Sequence, residues 1–329
     1  MAKQNPYRPF EPCDAQKELI PEISGNDING LGEGRVRRAR YVYWNDPDTL
    51  AHGEMQRWFY QNDPENETLK EAREERARVT GIALPEIATQ RAARSATEWT
   101  RLLKKEAGGL DFEMNGITAL KPDYLFEGCE LDHEWVIMIG VVHDYDEISC
   151  APKDRAGAEV VRQYGRAMRG ALELAGWVRR QGYDAEAHTG PLASKLMMIP
   201  PAIAAGLGEL GKHGSLINRE YGSSFRLSAV TTSMPLDETG APPLWVDDFC
   251  ENCRICEDAC PPQAIFQEKQ LVRGERKWYV DFDKCIPFFN ETFGCAMCIA
   301  QCPWSRPGVG PRLADKLSRR KERLEAPGA

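Results

Sequence analysis

The chain has 329 residues, of which 42% are hydrophobic and 28% charged, and its formal net charge is -8 at pH 7. This composition is typical of a folded protein with a sizeable core, and its acidic balance gives no reason to expect nucleic acid as a partner. No stretch reaches the roughly 18 apolar residues that a membrane helix needs. The first residues contain no apolar run and no twin-arginine pair, so we expect no export signal, no membrane partner and a cytoplasmic location.

The first predicted region covers residues 1–109. Its first 50 residues are rich in Pro, Asn, Asp and Gly, which favours extended chain and turns that wrap over a core. Residues 66–107 are expected to be mainly helical, with the second helix closed by Gly108 and Gly109. The region could contribute to a substrate pocket. Its aromatic residues could line that pocket, although we expect most of them to be ordinary core: Trp44, Trp58, Tyr60 and Trp99.

Residues 110–246 alternate strand and helix patterns. DFEMNGI and EWVIMIGVV are short apolar runs bounded by turn residues, and the second is typical of a strand buried on both faces. A helix with apolar positions at spacings of three and four is predicted for about 156–181. QGYDAEAHT predicts a turn and a short strand, PAIAAGLGELGKHGSLI a helix, a glycine-rich turn and a strand, and FRLSAVTTSM another strand. The alternation indicates an α/β (α+β) sandwich.

The third predicted region, residues 247–310, is distinguished by its cysteines. Eight of the 11 cysteines in the chain lie between Cys250 and Cys302. A reducing cytoplasm makes such a concentration typical of metal ligands or catalysts, and not of disulfides. The first run places Cys250, Cys253, Cys256 and Cys260 in the spacing C-x2-C-x2-C-x3-C-P, which is the bacterial ferredoxin spacing for [4Fe–4S] clusters.

The second cysteine run has a wide first gap and then C-x2-C-x3-C-P, formed by Cys285, Cys295, Cys298 and Cys302. In proteins with two clusters the fourth cysteine of a run binds the other cluster. We therefore predict one cluster on Cys250, Cys253, Cys256 and Cys302, and the other on Cys285, Cys295, Cys298 and Cys260. Zinc sites are less compatible, because zinc prefers two C-x2-C pairs separated by a longer loop.

Three features near or outside these runs have simple interpretations. QLVRGERKWYVDFD, between the two runs, resembles a hairpin. The basic tail, residues 311–329, predicts a solvated or fraying helix or, alternatively, a docking patch for an acidic electron donor. The remaining cysteines, Cys13, Cys129 and Cys150, are expected to be small buried hydrophobic residues.

The chain resembles the reductive dehalogenases and their relative, epoxyqueuosine reductase. The resemblance rests on four stretches that follow one another in the order found in that family. They are GITALKPDYLFEG (116–128), PPAIAAGLGELGKHGSLINREYGSSFRLSAVTTSMPL (200–236), the first cysteine run, and GCAMCIAQCPW (294–304).

The resemblance implies a nitroreductase-like domain that binds cobalamin base-off, without a protein histidine as ligand, followed by a ferredoxin-like domain with two [4Fe–4S] clusters. It places the cofactor against residues 206–226, where glycines let the backbone approach closely. The alternative to a cofactor-binding role is that this segment is only a tight loop between a helix and a strand. The expected cofactor-binding residues are Gly206, Gly208, Gly211, His213, Gly214, Ser215, Asn218, Tyr221 and Arg226.

The family also pairs a cation with a tyrosine that delivers a proton as the halide leaves. A nearby cation favours phenolate by lowering a tyrosine's pKa, and the phenol can then act as a general acid. The resemblance suggests Lys212 as the cation. Tyr145, just past the apolar strand, is our first choice for the tyrosine, and Tyr164 on the following helix is the second.

We therefore expect a catabolic, cobalamin-dependent reductive dehalogenase that acts on a small organohalide, expected to be aromatic. A separate ferredoxin or flavin-dependent reductase would supply electrons, and a homodimer is compatible with this hypothesis. One alternative is an epoxyqueuosine-reductase-like enzyme acting on tRNA, although the segment HTGPLASKLMMIPP (188–201) lacks the Asp-Ser-Ala-Pro-like stretch of that enzyme. The other is a non-catalytic iron–sulfur electron carrier.

Overall fold

The computed structural model describes residues 5–190 and 194–325. The ends of the predicted N-terminal region and basic tail, and part of the segment 188–201, therefore lie outside the described residues. No helix in the described ranges is long and apolar enough to span a membrane.

Residues 5–109 of the N-terminal region contain five helices joined by extended chain and turns, with a short 3-10 turn at Pro47–Thr49. They are α1 (Asp14–Lys17), α2 (Gly25–Asn29), α3 (Gly53–Gln61), α4 (Glu67–Thr80) and α5 (Ala96–Ala107). Ser95 caps α5 in a reciprocal capping box with Glu98, which satisfies backbone donors at the start of the helix. Both long helices lie where the sequence predicts them.

The chain from Asn5 onward wraps over the cysteine-rich region. The Asn5 side chain donates to the Ala259 carbonyl over 3.0 Å, and Arg8 donates to the carbonyls of Glu257 and Cys260. Further along, the backbone N–H of Gly25 donates to Asp283 over 2.8 Å. These long-range hydrogen bonds fix the opening segment against the domain that carries the clustered cysteines.

The central region holds four main strands and the longest helix. The elements are β1 (Met114–Ala119), β2 (Trp135–Val142), α6 (Tyr145–Ile148), α7 (Asp154–Arg180), β3 (Ala185–Thr189), α8 (Ile199–Ala204), β4 (Glu209–Leu210), β5 (Leu216–Ile217) and β6 (Phe225–Thr232). The main sheet has the order β1-β2-β6-β3, and every neighbouring pair is antiparallel. Strands β4 and β5 form a small hairpin beside it.

Both faces of the sheet are covered, which explains the almost wholly apolar sequence of β2. On one face, Ile137 and Ile139 pack in a core with residues of α5 and α7, such as Trp99 and Leu174. On the other face, Val136 and Met138 pack against residues of the 196–216 segment. The predicted mixed α/β sandwich is therefore present, and β2 is buried from both sides.

The C-terminal region is built from short helices and a hairpin. Its elements are α9 (Val246–Asn252), α10 (Ile255–Ala259), β7 (Gln270–Val272), β8 (Glu275–Lys277), α11 (Phe282–Glu291), α12 (Met297–Gln301) and α13 (Gly310–Glu325). The hairpin predicted between the cysteine runs is β7–β8. The tail helix α13 does not fray away from the domain, because its Ala314 and Leu317 are buried in a core with Trp304.

The three isolated cysteines do not match the expectation of small buried residues. Cys13 is exposed, and Cys129 and Cys150 are half-buried. Cys13 precedes α1 as its N-terminal cap, which keeps it at the surface. Cys129 lies 3.3 Å from the Tyr41 hydroxyl.

Candidate functional site

The cysteines of the two runs mix into two groups of four. We define group A as Cys250, Cys253, Cys256 and Cys302. Burial raises the pKa of Cys256 to about 12, and the nearby thiols of Cys250, Cys302 and Cys253 raise it further. The pKa of Cys302 is likewise raised to about 12, first by burial and also by Cys250 and Cys253. One cysteine of the second run therefore lies among three of the first.

Group B is the converse arrangement and consists of Cys260, Cys285, Cys295 and Cys298. Burial raises the pKa of Cys285, and the thiols of Cys295 and Cys260 add to this effect. The pKa of Cys295 is raised to about 11 by burial and by Cys260. Cys260 of the first run thus lies with three cysteines of the second run, which is the crossed grouping that the spacing predicts.

Local backbone geometry produces this crossing. Cys256 lies in α10 and Cys298 in α12, and these two helices pack against each other. Cys260 and Cys302 follow at the C-terminal ends of the same helices. Left-handed backbone at Cys295 (φ 50°) and Ala296 (φ 63°) turns the chain into α12. Each helix therefore holds its third cysteine in one group and sends its fourth toward the other.

The donor set fits iron–sulfur clusters. All eight cysteines are free thiols, and burial is the main cause that raises the pKa of Cys256, Cys302 and Cys285. Buried thiols of this kind become thiolates when metal supplies the compensating positive charge. In the described ranges no group of three or more His, Cys, Asp or Glu side chains converges on a position for a single metal ion.

Two adjoining cavities lie between the sheet, the N-terminal region and group B. The cysteine-side cavity, about 270 Å³, is walled by all four cysteines of group B together with residues of α4 and α7. The sheet-side cavity, about 570 Å³, is walled by residues 40–44, Ser194, residues 196–199, 215–216 and 225–227, and part of α11. Both are lined by the residues at their junction, Trp44, Tyr164, Arg226, Cys285 and Phe289.

Tyr164 lies at the junction of the two cavities between two guanidinium groups. The Cζ atoms of Arg226 and Arg76 lie 5.2 Å and 5.9 Å from the centre of its ring. Tyr164 comes from α7, Arg76 from α4 and Arg226 from β6. Helices α4 and α7 approach closely at Gly165, where an added Cβ would lie 3.5 Å from the Cα of Arg76. Packing of α4 on α7 thus brings Arg76 to Tyr164, while Arg226 reaches the ring from the sheet.

Several polar atoms at this site lack partners within the described part of the chain. The Nε atoms of Arg76 and Arg226 and the Tyr60 hydroxyl are buried and make no hydrogen bond there. Burial raises the pKa of Tyr60, and the nearby Arg76 partly offsets this. Buried polar groups without partners are rare and costly. Their concentration on the cysteine-side cavity, which they all line, indicates that a polar ligand group completes the site.

The two catalytic residues that we expected first lie elsewhere. Tyr145 begins α6 and packs against Ile148, Ala156 and Ala296, and it lines neither cavity. Lys212 is 2% exposed and ion-paired to Glu257 over 2.7 Å. Its Nζ also donates to the Cys253 carbonyl over 3.0 Å.

The structure therefore does not bring Tyr145 and Lys212 together, and their pairing stays a prediction that this geometry does not support. Lys212 stabilises the polypeptide around group A, because its ammonium is already satisfied by a carboxylate and a carbonyl. Tyr164, the second choice, occupies the cavity junction, and Arg226 supplies the neighbouring cation.

The 206–226 segment contributes fewer cavity residues than expected. Only Ser215 and Arg226 of its predicted binding residues line the cavities. The His213 Nδ1 accepts from the Ser215 backbone and its Nε2 lies 3.1 Å from Ser223, while burial lowers its pKa to about 4.

The other predicted residues of that segment shape the loop. Asn218 donates to the Leu207 carbonyl over 2.7 Å and accepts from the backbone of Tyr221. Gly208 and Gly211 lie close to Ile217, and Gly206 lies against Gly240. Gly214 has a positive φ of 74°, and an added Cβ would lie 3.2 Å from Val280. These contacts make the segment a tight scaffold that presents Ser215 and Arg226.

The sheet-side cavity meets simple requirements for a corrinoid. Much of its wall is apolar side chain, including Leu196, Phe225 and Leu227. Gly190 also lines it, and an added Cβ there would lie 3.2 Å from Tyr164, so glycine keeps this wall open. The chain's five histidines are not among the described residues that line either cavity. Shape, backbone and Arg226, with its unpartnered Nε, would hold the cofactor.

Arginines on α4 are site residues that sequence reasoning missed. Arg73 and Arg76 line the cysteine-side cavity together with Leu69 of the same helix. The spacing of Leu69, Arg73 and Arg76 places them on one helical face, a signal hidden by the high charge of α4. Of the four aromatic candidates, Trp44 and Tyr60 line the cavity, Trp58 does not, and Trp99 is fully buried core.

Comparisons with known proteins find similarity in the cysteine-rich region and over much of the remaining chain. Residues 249–305 match the family model described as "4Fe-4S dicluster domain". A tetrachloroethene reductive dehalogenase of Desulfitobacterium hafniense is 30% identical over 219 residues, which cover 62% of this chain and 39% of that protein. An epoxyqueuosine reductase of Leadbetterella byssophila is 33% identical over 118 residues, which cover 31% of this chain and 34% of that protein.

A solved structure extends the likeness of fold to most of the chain. The catabolic reductive dehalogenase NpRdhA, in complex with 3-bromo-4-hydroxybenzoic acid, matches with a TM-score of 0.70 at 21% identity. The match covers 91% of this chain and 46% of that one, so the present chain spans less than half of the dehalogenases it matches. The resemblance and fold class predicted from the sequence are confirmed: the chain is similar to reductive dehalogenases, has a mixed α/β fold, and matches a 4Fe-4S dicluster domain near its C-terminal end.

Proposed function

We propose that this chain is a cobalamin-dependent reductive dehalogenase that removes halide from an aromatic organohalide. The observation that carries the proposal is Tyr164, which lies between Arg76 and Arg226 where the two cavities meet, beside the cysteines of group B. Sequence similarity to named reductive dehalogenases supports the reaction class. Overall, two electrons and one proton replace a halogen on carbon with hydrogen, and halide leaves.

Groups A and B would each hold one [4Fe–4S] cluster. Cys256 of group A contributes to the raised pKa of Cys298 in group B, so the two groups are close neighbours. Group B walls the cavity that Tyr164 shares. Electrons would therefore enter at group A, pass to group B and reach the cavity one at a time. A bound corrinoid would supply a cobalt centre that uses these electrons to act on the carbon–halogen bond.

Tyr164 is the proposed proton donor. Its phenol is the acidic group at the cavity junction, and Arg226 and Arg76 are placed to stabilise the phenolate that remains after proton transfer. The same arginines can hold the departing halide. Tyr60 and the neighbouring aromatic residues exclude water from the reacting carbon.

The lining charges favour an aromatic substrate that carries an anionic group. Four arginines line the cavities: Arg40, Arg73, Arg76 and Arg226. No Asp or Glu among the described residues lines either cavity. Aromatic side chains line the same space, including Trp44, Phe59 and Phe289. Arginine pairs well with carboxylate or phenolate oxygens. The structurally similar NpRdhA was solved with a brominated hydroxybenzoic acid, an aromatic acid of this kind.

The two alternative functions, an epoxyqueuosine-reductase-like enzyme and a simple electron carrier, account less well for the residues that line the cavities. An epoxyqueuosine-reductase-like enzyme is expected to use an aspartate as proton donor, whereas the described lining residues offer Tyr164 and arginines. A simple electron carrier does not account for a tyrosine and two unpartnered arginine Nε atoms in a cavity beside group B. We therefore favour the dehalogenase.

The test is halide release by protein reconstituted anaerobically with iron, sulfide and cobalamin. Reduced methyl viologen serves as donor, and substrates are brominated hydroxybenzoates beside their methyl esters. We expect bromide release, faster with the free acids, and loss of that preference in Arg76→Gln. Reduced clusters and bound cobalamin without bromide release from any brominated aromatic would contradict the proposal.

A further inference from the structure

A groove beside group A reaches the protein surface. It measures about 630 Å³ and lies between α13 and the α9–α10 segment. Cys253 of group A is one of its lining residues. Phe249, Ile255, Leu313 and Leu317 give it an apolar part, and Ile255 is 40% exposed. The groove is therefore where group A comes within reach of another molecule.

The rest of the groove is strongly basic. Arg254, Lys316, Arg320 and Arg323 line it, and Asp248 is the single carboxylate among its described lining residues. Asp248 is already neutralised by Lys321, whose Nζ lies 2.5 Å away. Lys316, Arg320 and Arg323 are exposed and make no ion pair within the described ranges. This local charge is opposite to the net charge of -8 of the whole chain.

Helix α13 divides its basic residues between two tasks. Lys321 anchors the helix, because it pairs with Asp248 and its Nζ lies 4.6 Å from the centre of the Trp245 ring. Ala314 and Leu317 fix the same helix in a buried core. The unpaired cations are thus held on a rigid support beside Cys253, which is how a surface for electrostatic steering is built.

We propose that this groove is the docking surface for a small acidic protein that donates single electrons to group A. The inference rests on the proposed function, in which group A holds the cluster that receives electrons. An acidic partner matches the unpaired cations, and the apolar strip around Ile255 matches the contact core of a transient complex. The electron leaves the reduced partner and enters the oxidised group A cluster, so no other reactant is needed.

The experiment measures how fast a reduced acidic ferredoxin reduces the clusters of the reconstituted holoprotein. Stopped-flow bleaching of the iron–sulfur absorbance follows the transfer without requiring dehalogenation. The test variant carries Arg320→Glu and Arg323→Glu. The matched control carries Arg101→Glu and Lys104→Glu on α5, which reverses two exposed charges at positions that do not line the groove.

We expect the groove variant to slow reduction by ferredoxin roughly tenfold or more at low salt, and the control to change it less than about twofold. High salt should slow the wild type toward the groove variant. Reduced methyl viologen, which needs no docking surface, should reduce all three proteins at the same rate.

Equal ferredoxin rates in the groove variant and the control would overturn the docking proposal. So would a groove variant that loses affinity for an oligonucleotide but keeps its ferredoxin rate, because the basic face would then serve nucleic acid. Failure of viologen to reduce any cluster in the wild type would instead refute the cluster assignment of the proposed function, so the two failures are distinguishable.

Discussion

Replacing Tyr164 with phenylalanine isolates the chemical role of one hydroxyl. The substitution keeps the ring, and with it the contacts to the arginine guanidinium groups 5.2 Å and 5.9 Å from the ring centre. It also keeps the packing next to Gly190. Within the described part of the chain the Tyr164 hydroxyl makes no hydrogen bond that the fold would lose. The protein should therefore fold and bind its cofactors normally.

The expected loss follows from the role of a general acid. A positioned proton donor contributes about 10²–10⁴-fold to rate, which corresponds to about 2.7–5.4 kcal/mol of transition-state stabilisation. We expect halide release by Tyr164→Phe to fall within that range in single-turnover assays with prereduced protein. Visible spectra should show unchanged corrinoid and iron–sulfur bands, which separates lost chemistry from lost cofactor.

Tyr145→Phe is the matched control for this experiment. Tyr145 packs against Ile148, Ala156 and Ala296 and itself lines neither cavity. The rate of Tyr145→Phe should therefore stay within about threefold of wild type, far from the loss expected of a general acid. The reasoning is refuted if Tyr164→Phe keeps nearly full activity, and doubly so if Tyr145→Phe is the variant that loses it.

The remaining predictions concern the clusters and stability. Cys302→Ser should damage the cluster of group A and Cys260→Ser that of group B, and electron paramagnetic resonance of the reduced variants should show a different surviving signal in each. Lys212→Met leaves Glu257, whose side chain is 6% exposed, with only the exposed Arg254 at 3.4 Å as a cationic partner. It should cost about 3 kcal/mol in denaturant unfolding, the low end for breaking a buried ion pair; adding Glu257→Gln should recover much of that loss. Burial lowers the pKa of His188 to about 4, against about 6.5 in the unfolded chain. Its stabilising contribution is therefore present above about pH 6.5 and lost as pH falls toward 4, by about 1.4 kcal/mol at about pH 5.5. His188→Gln should lack that pH-dependent part when unfolding is compared with wild type at the two pH values.

Local patterns were the part of the fold that could be predicted. The cysteine spacing predicts the crossed grouping, because α10 and α12 are short helices whose geometry follows from a few neighbouring residues. The apolar run of β2 likewise predicts a strand covered on both faces. The antiparallel order β1-β2-β6-β3 could not be derived in this way, since strand pairing joins residues far apart in the chain.

The tyrosine site was harder to predict for the same reason. Tyr164, Arg76 and Arg226 come from α7, α4 and β6, and they meet only after α4 packs on α7 and α7 packs on the sheet. Lys212 was an attractive choice from its motif, but its side chain points to Glu257 beside group A. A sequence motif can indicate the region of the fold in which a residue lies. The direction of its side chain depends on the buried charges around it, as the pairing of Lys212 with Glu257 shows.

Uptake of a corrinoid is the most direct test of the proposed function. Protein reconstituted to full iron and sulfide content would be incubated anaerobically with cobalamin, desalted, and examined for retained corrinoid by its visible spectrum. We predict stoichiometric retention, diminished when Gly190→Phe fills the wall of the sheet-side cavity next to Tyr164. Wild-type protein with intact clusters that retains no corrinoid would contradict the account.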